Sequence, residues 1–184
     1  MAITSRTGLI TSFARLAHDV RAISAVEFAF ILPLMLTLFL GGNELSQAIS
    51  IKRKTVLANR TVGDLVAQDS TITNAEMNAI FQASAAVVVP FTVGSLKVIV
   101  SQLYIDQNQV AKVQWSDAYQ ATARAVNSTV TLPTGLNIAN TYLIFAESTY
   151  SYTPPIGYTI IGTLVMDDQI YLRPRLTASI SRVP

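Results

Sequence analysis

The sequence predicts an α+β protein with a long N-terminal membrane-spanning helix, a second helix and a small antiparallel sheet. Three observations predict it. Residues 22–42, AISAVEFAFILPLMLTLFLGG, form an apolar run that holds one ionisable residue, Glu27, and one proline, Pro33. Apolar positions then recur at a 3.6-residue period from Ala48. From Leu96 onward β-branched stretches alternate in polarity and are separated by turn residues.

The apolar run comes first because it is long enough to cross a bilayer. At about 1.5 Å of rise per helical residue, roughly 20 apolar residues match a hydrocarbon core of about 30 Å. No other stretch of the chain approaches this. Pro33 is compatible with such a helix, since neighbours re-satisfy the freed carbonyl and the usual result is a kink. Glu27 is the anomaly. A carboxylate in hydrocarbon is costly unless it is paired, protonated or near an interface, and its place early in the run fits a side chain snorkelling to the membrane surface.

Composition sets the remaining bounds. The 184 residues leave room for one span and one modest domain. Hydrophobic residues make up 51% and charged ones only 13%, a bias to which the apolar run contributes. Arg6, Arg15 and Arg21 against Asp19 place the whole net charge of +2 in residues 1–22, so the rest of the chain is neutral and nothing points to nucleic acid. The chain has no cysteine, which excludes disulfides and thiol chemistry. His18 is the single histidine, so one copy cannot assemble a histidine metal cluster or a histidine-based catalytic arrangement. No metal and no cofactor are expected.

Met1 to Arg21 reads as a short, basic leader in which Leu9, Ile10, Phe13 and Leu16 allow a weak amphipathic helix. Lys52, Arg53 and Lys54 lie beyond the other end of the span, so charge counting orients it only weakly. A polar segment of helical character follows the run where a secretory signal would carry a cleavage site, so the run reads as a retained anchor.

Past Gly42 the helix is expected to continue, because Ala48, Ile51, Thr55, Ala58, Val62 and Leu65 share one stripe while Arg53, Arg60 and Asp64 lie opposite. From about Ile23 to about Val66 it would measure some 65 Å at 1.5 Å per residue. The alternative is an anchor and a separate short helix, broken at Gly41–Gly42. Thr73-Asn74-Ala75-Glu76 fits a capping box, with Ile72 and Met77 placed for the accompanying staple. The helix it opens has Met77, Ile80, Phe81, Ser84 and Val88 on its packing face and stops at Pro90.

Leu96 to Ile105 reads as a strand, Asp106 to Gln109 as a turn, and Val110 to Trp115 as the returning strand, with Ala111, Val113 and Trp115 on one face and Trp115 toward the helices. Asp117 to Val126 is alanine-rich and is expected to form a short helix, and Leu132 to Gly135 a turn. Asn140 to Thr153 is a further strand, with Tyr142, Ile144 and Ala146 alternating against Leu143, Phe145 and Glu147. The last is Ile170 to Arg175, after an expected polar turn at Asp167–Asp168. These are the only adjacent carboxylates, and neighbouring strand side chains point apart, so an enzyme is not expected.

The residues around Glu27 carry a resemblance. Arg21 and Ala22, four mainly small or apolar residues, Glu27–Phe28 and a long apolar helix with Pro33 are similar to the processing region of type IV pilin-like proteins. More narrowly, Ala25-Val26-Glu27-Phe28 followed by Pro33 resembles the TadE/TadG family, minor pseudopilins of the tight-adherence (Flp, type IVb) pilus system. A tyrosine-rich strand ending at Pro154–Pro155 and the Arg173-Pro174-Arg175 triplet extend the likeness toward the C-terminus.

The resemblance implies a pilin-like extracytoplasmic domain and a cut by a prepilin peptidase, recognised through Ala22, Ile23, Glu27 and Phe28 and made between Ala22 and Ile23. The family's usual residue before the cut is glycine, and this chain has Ala22. The expected organisation is a leader over 1–22, a membrane segment over 23–42, an extracytoplasmic helix over 43–68 and an α+β extracytoplasmic domain over 69–184. The implied location is the inner membrane or the pilus, with the N-terminus cytoplasmic and the C-terminal domain periplasmic. Implied partners are the prepilin peptidase, Flp pilin, other Tad pseudopilins and assembly platform proteins. Glu27, facing a free amine on Ile23 of a neighbouring copy after cleavage, would set axial register during assembly. An uncleaved signal-anchored envelope protein that binds a partner is the competing reading.

Overall fold

The computed structural model describes residues 20–157 and 162–184. The expected leader helix and His18 lie outside them. The chain divides into two compact units, one ending at Leu45 and one beginning at Ser46.

Helix α1, Val20–Ala67, is continuous through Gly41 and Gly42, so the expected long helix forms and the alternative break does not. Inside the second unit its buried stripe is Ile51, Thr55, Ala58, Val62 and Val66, with Asn59 and Ala67 beside it. Leu65, expected in the stripe, lies at its edge and is half-buried. Arg53 and Arg60 face outward.

A short strand β1, Thr71–Ile72, leads into helix α2, Asn74–Val88. The capping box forms as expected: the Glu76 backbone N–H donates to the Thr73 hydroxyl at 3.3 Å, and the Thr73 N–H donates back to the Glu76 carboxylate at 2.8 Å. Those bonds hold the Glu76 carboxyl below its ordinary pKa. Met77, Ile80, Phe81, Ser84, Ala85 and Val88 form the buried face. At the far end Lys54 of α1 donates to the carbonyls of Val87 at 3.0 Å and Val89 at 2.5 Å, serving carbonyls that the end of a helix leaves without partners.

The sheet is built from β2 (Leu96–Ile105), β3 (Ala111–Tyr119), β4 (Thr129–Val130), β5 (Thr141–Tyr152) and β6 (Leu164–Leu172), in the order β4-β3-β2-β5-β6, all antiparallel. A short 3₁₀ turn, Val93–Ser95, precedes β2. β1 pairs in parallel with a terminal strand β7, Ser181–Arg182. One face of the sheet, with Val98, Val100, Ile144, Ala146 and Tyr150, packs against α1 and α2. The other, with Leu103, Val113, Leu143 and Phe145, is covered by the segment carrying Val130, Leu132 and Leu136.

Four local expectations change. Ala111, Val113 and Trp115 do not share a face, because the β2–β3 register shifts between Gln102 and Leu103: Leu103 pairs with Val113 and Gln102 with Trp115, leaving Gln114 as the extra residue. The bulge puts Ala111 and Val113 on the far face and Trp115 on the helical face, where its indole donates to the Ile180 carbonyl at 2.9 Å. Asp117 to Val126 is not helical. Asp117, Ala118 and Tyr119 pair with Val100, Ile99 and Val98, and Gln120 at φ 52° turns the chain out of the strand. Asp167 and Asp168 sit inside β6, opposite Thr149 and Ser148, and are not a turn, since β6 begins six residues earlier than the sequence suggests. Their side chains diverge as strand geometry requires: Thr149 donates to Asp167 at 2.7 Å and Asn59 of α1 donates to Asp168 at 2.9 Å. Finally, Arg173 to Arg175 lies beyond the end of the last long strand, which stops at Leu172.

At Gly63 α1 lies against β6 closely enough that any added side chain would have to displace the end of Leu172. A Cβ there would lie 2.7 Å from Leu172 Cδ1. Further on, the Arg175 backbone donates to the Ala67 carbonyl at 2.9 Å, and its guanidinium meets Asp64 at 2.6 Å.

Candidate functional site

The candidate site is the first part of α1. Its side chains from Ile23 to Phe39 are all exposed, and none is ionisable except Glu27. Within the described residues this is the one helix long and apolar enough to cross a membrane, with a mean hydropathy of 2.2 in its best window. A surface helix with no polar face has no stable place in water, because nothing in its own unit covers Phe28, Phe30, Leu34 or Phe39.

Besides Ser24, two polar groups lie inside this apolar surface. The Thr37 hydroxyl donates to the Pro33 carbonyl at 2.8 Å, one turn back, so it needs no solvent partner. The sequence signal for that bond was a threonine four residues after the proline, and it went unread. The second group is Glu27. It stands one turn after Ile23, and residues four apart on a helix lie on the same face, about 5–6 Å between Cβ atoms. Glu27 and the position that cleavage would turn into an N-terminus therefore share a face. Phe28 lies next around the helix, 59% exposed, and Ala22 is helical like its neighbours. The four residues expected to be read by a peptidase thus fall on two consecutive turns.

Residues 22–59 match the family described as TadE-like protein. The match starts at Ala22, takes in Glu27 and the whole apolar segment, and ends at Asn59 in the second unit. The resemblance read from Ala25 to Pro33 is borne out over this stretch. No curated protein and no solved structure matches the chain.

The second unit adds charged clusters of a structural kind. Arg124 makes a two-pronged contact with Glu147, at 2.6 and 2.7 Å, while lying 5.3 Å from the Phe145 ring centroid. Phe145 in turn stacks on Tyr171, ring centroids 4.6 Å apart. The bond to Glu147 raises the Arg124 pKa, and desolvation raises that of the Tyr171 phenol. Arg182 grips Asp117 with two bonds, at 2.8 and 3.0 Å, and reaches Asn74 at 2.6 Å, closing the C-terminal strand onto α2 and β3. These pairs tie chain ends and loops to the sheet and hold no convergent acid and base.

Proposed function

We propose that the chain is a minor pseudopilin of a tight-adherence (Flp) pilus. In this reading a prepilin peptidase cuts between Ala22 and Ile23, the apolar helix holds the protein in the inner membrane, and the second unit lies on the periplasmic side. Flp pilin, other Tad pseudopilins and the assembly platform are its partners. The observation that carries the proposal is the TadE-like match, which opens at the expected cut and includes the one carboxylate of the span. Glu27 would then pair with the new amine of Ile23 on a neighbouring copy, a pairing favoured because an unpaired carboxylate in hydrocarbon is costly. The protein catalyses nothing and acts as a substrate of the peptidase and a component of the assembly.

One observation favours a second reading, an uncleaved signal-anchored envelope protein that binds a partner: Ala22 stands where the family pattern has glycine. Intact mass and N-terminal sequencing of the protein from membranes with and without the peptidase separate the two. A chain starting at Ile23 only when the peptidase is present is the expected result. A chain starting at Met1 in both overturns the pseudopilin reading.

A further inference from the structure

The two arginines of the Arg173-Pro174-Arg175 triplet do different things. Arg175 ties the chain after β6 to the end of α1, with its backbone N–H on the Ala67 carbonyl at 2.9 Å and its guanidinium on Asp64 at 2.6 Å. Arg173 makes no such tie: it is exposed, and among the described residues it has no hydrogen-bond or ionic partner. It lines a cavity of ≈ 240 Å³ together with Asn140, Thr141 and Tyr142 at the start of β5 and Pro174 and Thr177 in the segment after β6. All of these residues belong to the second unit.

Both walls of the cavity are fixed by bonds that leave donors over. Asn140 sits at φ 59°, a left-handed conformation that asparagine tolerates, and its backbone N–H donates to the Ile105 carbonyl at 2.8 Å. The Tyr104 hydroxyl donates to Asn140 Oδ1 at 3.1 Å, which orients the amide and leaves both Nδ2 hydrogens without a partner among the described residues. The Tyr142 ring lies 4.9 Å from that of Tyr104, tilted by 41°, and no described residue takes up its hydroxyl. Thr141 and Thr177 are already engaged, donating to the Ile138 and Ser179 carbonyls at 2.6 and 2.7 Å. The lining therefore offers a guanidinium, a carboxamide and a phenol, and it holds no carboxylate. Of the acids on adjoining segments, Asp64 faces Arg175, Asp106 faces Lys112 at 3.6 Å, Asp168 accepts from Asn59, and Asp69 lies outside the lining.

Arginine's planar fork holds a carboxylate through two parallel hydrogen bonds. One guanidinium balances one negative charge, whereas a phosphate group carries about 1.5 to 2 at neutral pH, so a single carboxylate is the better match. The amide and the phenol suit hydroxyl groups, and the tyrosine ring supplies an apolar surface on which a sugar ring can lie. At ≈ 240 Å³ the cavity falls below the roughly 300 Å³ at which drug-sized pockets begin, which leaves space for about one ring. We propose that this cavity binds an acidic sugar unit, a hexuronate, with the carboxylate on Arg173 and the ring hydroxyls on Asn140 and Tyr142. The site lies in the second unit alone and is independent of cleavage at Ala22 and of Glu27.

The test presents D-galacturonate, and D-galactose as its uncharged counterpart, to the full-length protein in micelles of an uncharged, sugar-free detergent, with binding read by saturation-transfer difference NMR. Galacturonate should bind saturably in the millimolar range. Galactose in place of galacturonate, or Arg173→Gln in place of the wild type, should weaken binding about tenfold or more, the scale of one hydrogen-bonded charge. Arg173→Lys and Tyr142→Phe should weaken it less, and Arg60→Gln, at an exposed arginine of α1, should leave it unchanged. Because Arg173 has no partner in the fold, the urea midpoint of Arg173→Gln should match that of the wild type. No saturable binding of galacturonate, equal binding of galactose, or a full response from Arg173→Gln overturns the proposal. N-acetylglutamate carries the same carboxylate on a peptide-like stem, and inorganic phosphate carries a larger charge; displacement of galacturonate by either one at equal concentration overturns the assignment to a sugar.

Discussion

Helix α1 contains two stretches with the same backbone and opposite relations to their surroundings. From Ile23 to Phe39 every side chain is exposed and apolar residues run all the way round. From Ala48 to Val66 the buried residues Ala48, Ile51, Thr55, Ala58, Val62 and Val66 form one stripe, while Arg53, Leu57 and Arg60 face outward. Helical hydrogen bonding satisfies the backbone in both, so the difference lies only in what the side chains can be dissolved in. The first stretch is long and apolar enough to cross a membrane, whereas the second supplies one wall of a protein core and leaves the rest to water.

The largest effect that sharpens this contrast is loss of core. Ile51→Ala removes a fully buried side chain and should destabilise the second unit by about 2–5 kcal/mol, read from its urea midpoint. Ile31→Ala, in the exposed apolar stretch, should leave that midpoint where it is.

Charge insertion should reverse the ranking. Leu36 is 49% exposed and Leu57 54%, yet Leu36→Lys should lower membrane insertion by about 3 kcal/mol, on the order of a hundredfold in the inserted fraction. Leu57→Lys should change stability by no more than about 0.5 kcal/mol. Equal effects at the two sites would mean that both halves meet the same solvent, and the membrane reading would fall.

The smallest effect is at the cap of α2. Thr73→Ala should cost about 1 kcal/mol at neutral pH, measured by chemical denaturation. The Glu76 pKa is depressed in the folded state by its bonds to Thr73, so its contribution is present above the unfolded value of about 4.5 and is lost as the pH falls through the folded value. The gap between wild type and Thr73→Ala should therefore narrow in acid. A gap that widens below pH 4.5 would show that Glu76 is not the partner in solution.

Local features were readable wherever their cause is local. The capping box at Thr73, the stop of α2 before Pro90 and the β2–β3 turn at Asp106 each depend on residues within a few positions. At the turn Asp106 accepts from the backbone of Asn108 and Val110, both at 2.9 Å, which is a property of that pentapeptide alone. Of the candidate site, Glu27 and the turn it shares with Ile23 were legible from spacing, while the Thr37–Pro33 bond was missed.

The misreadings have a common origin in pairing across distance. Asp167 and Asp168 look like turn residues because carboxylates are rare inside strands, but partners from elsewhere, Thr149 and Asn59, satisfy them there. The alanine-rich stretch from Asp117 has helix formers, and the ladder with Val98 to Val100 takes its first three residues into β3 instead. Gln114 carries no mark of a bulge in its own neighbourhood, yet one inserted residue there decides which face Trp115 joins.

By itself the sequence determined the apolar span with its lone carboxylate, the buried stripe of α1, the start and face of α2 and the first hairpin, because periodicity, capping and turn chemistry act over a few residues. Only the tertiary structure decided the strand order β4-β3-β2-β5-β6, the parallel pairing of Thr71–Ile72 with Ser181–Arg182, and the Arg124–Glu147 and Arg182–Asp117 pairs. Those joins link residues far apart in the chain, and their free energy comes from partners that no local pattern names.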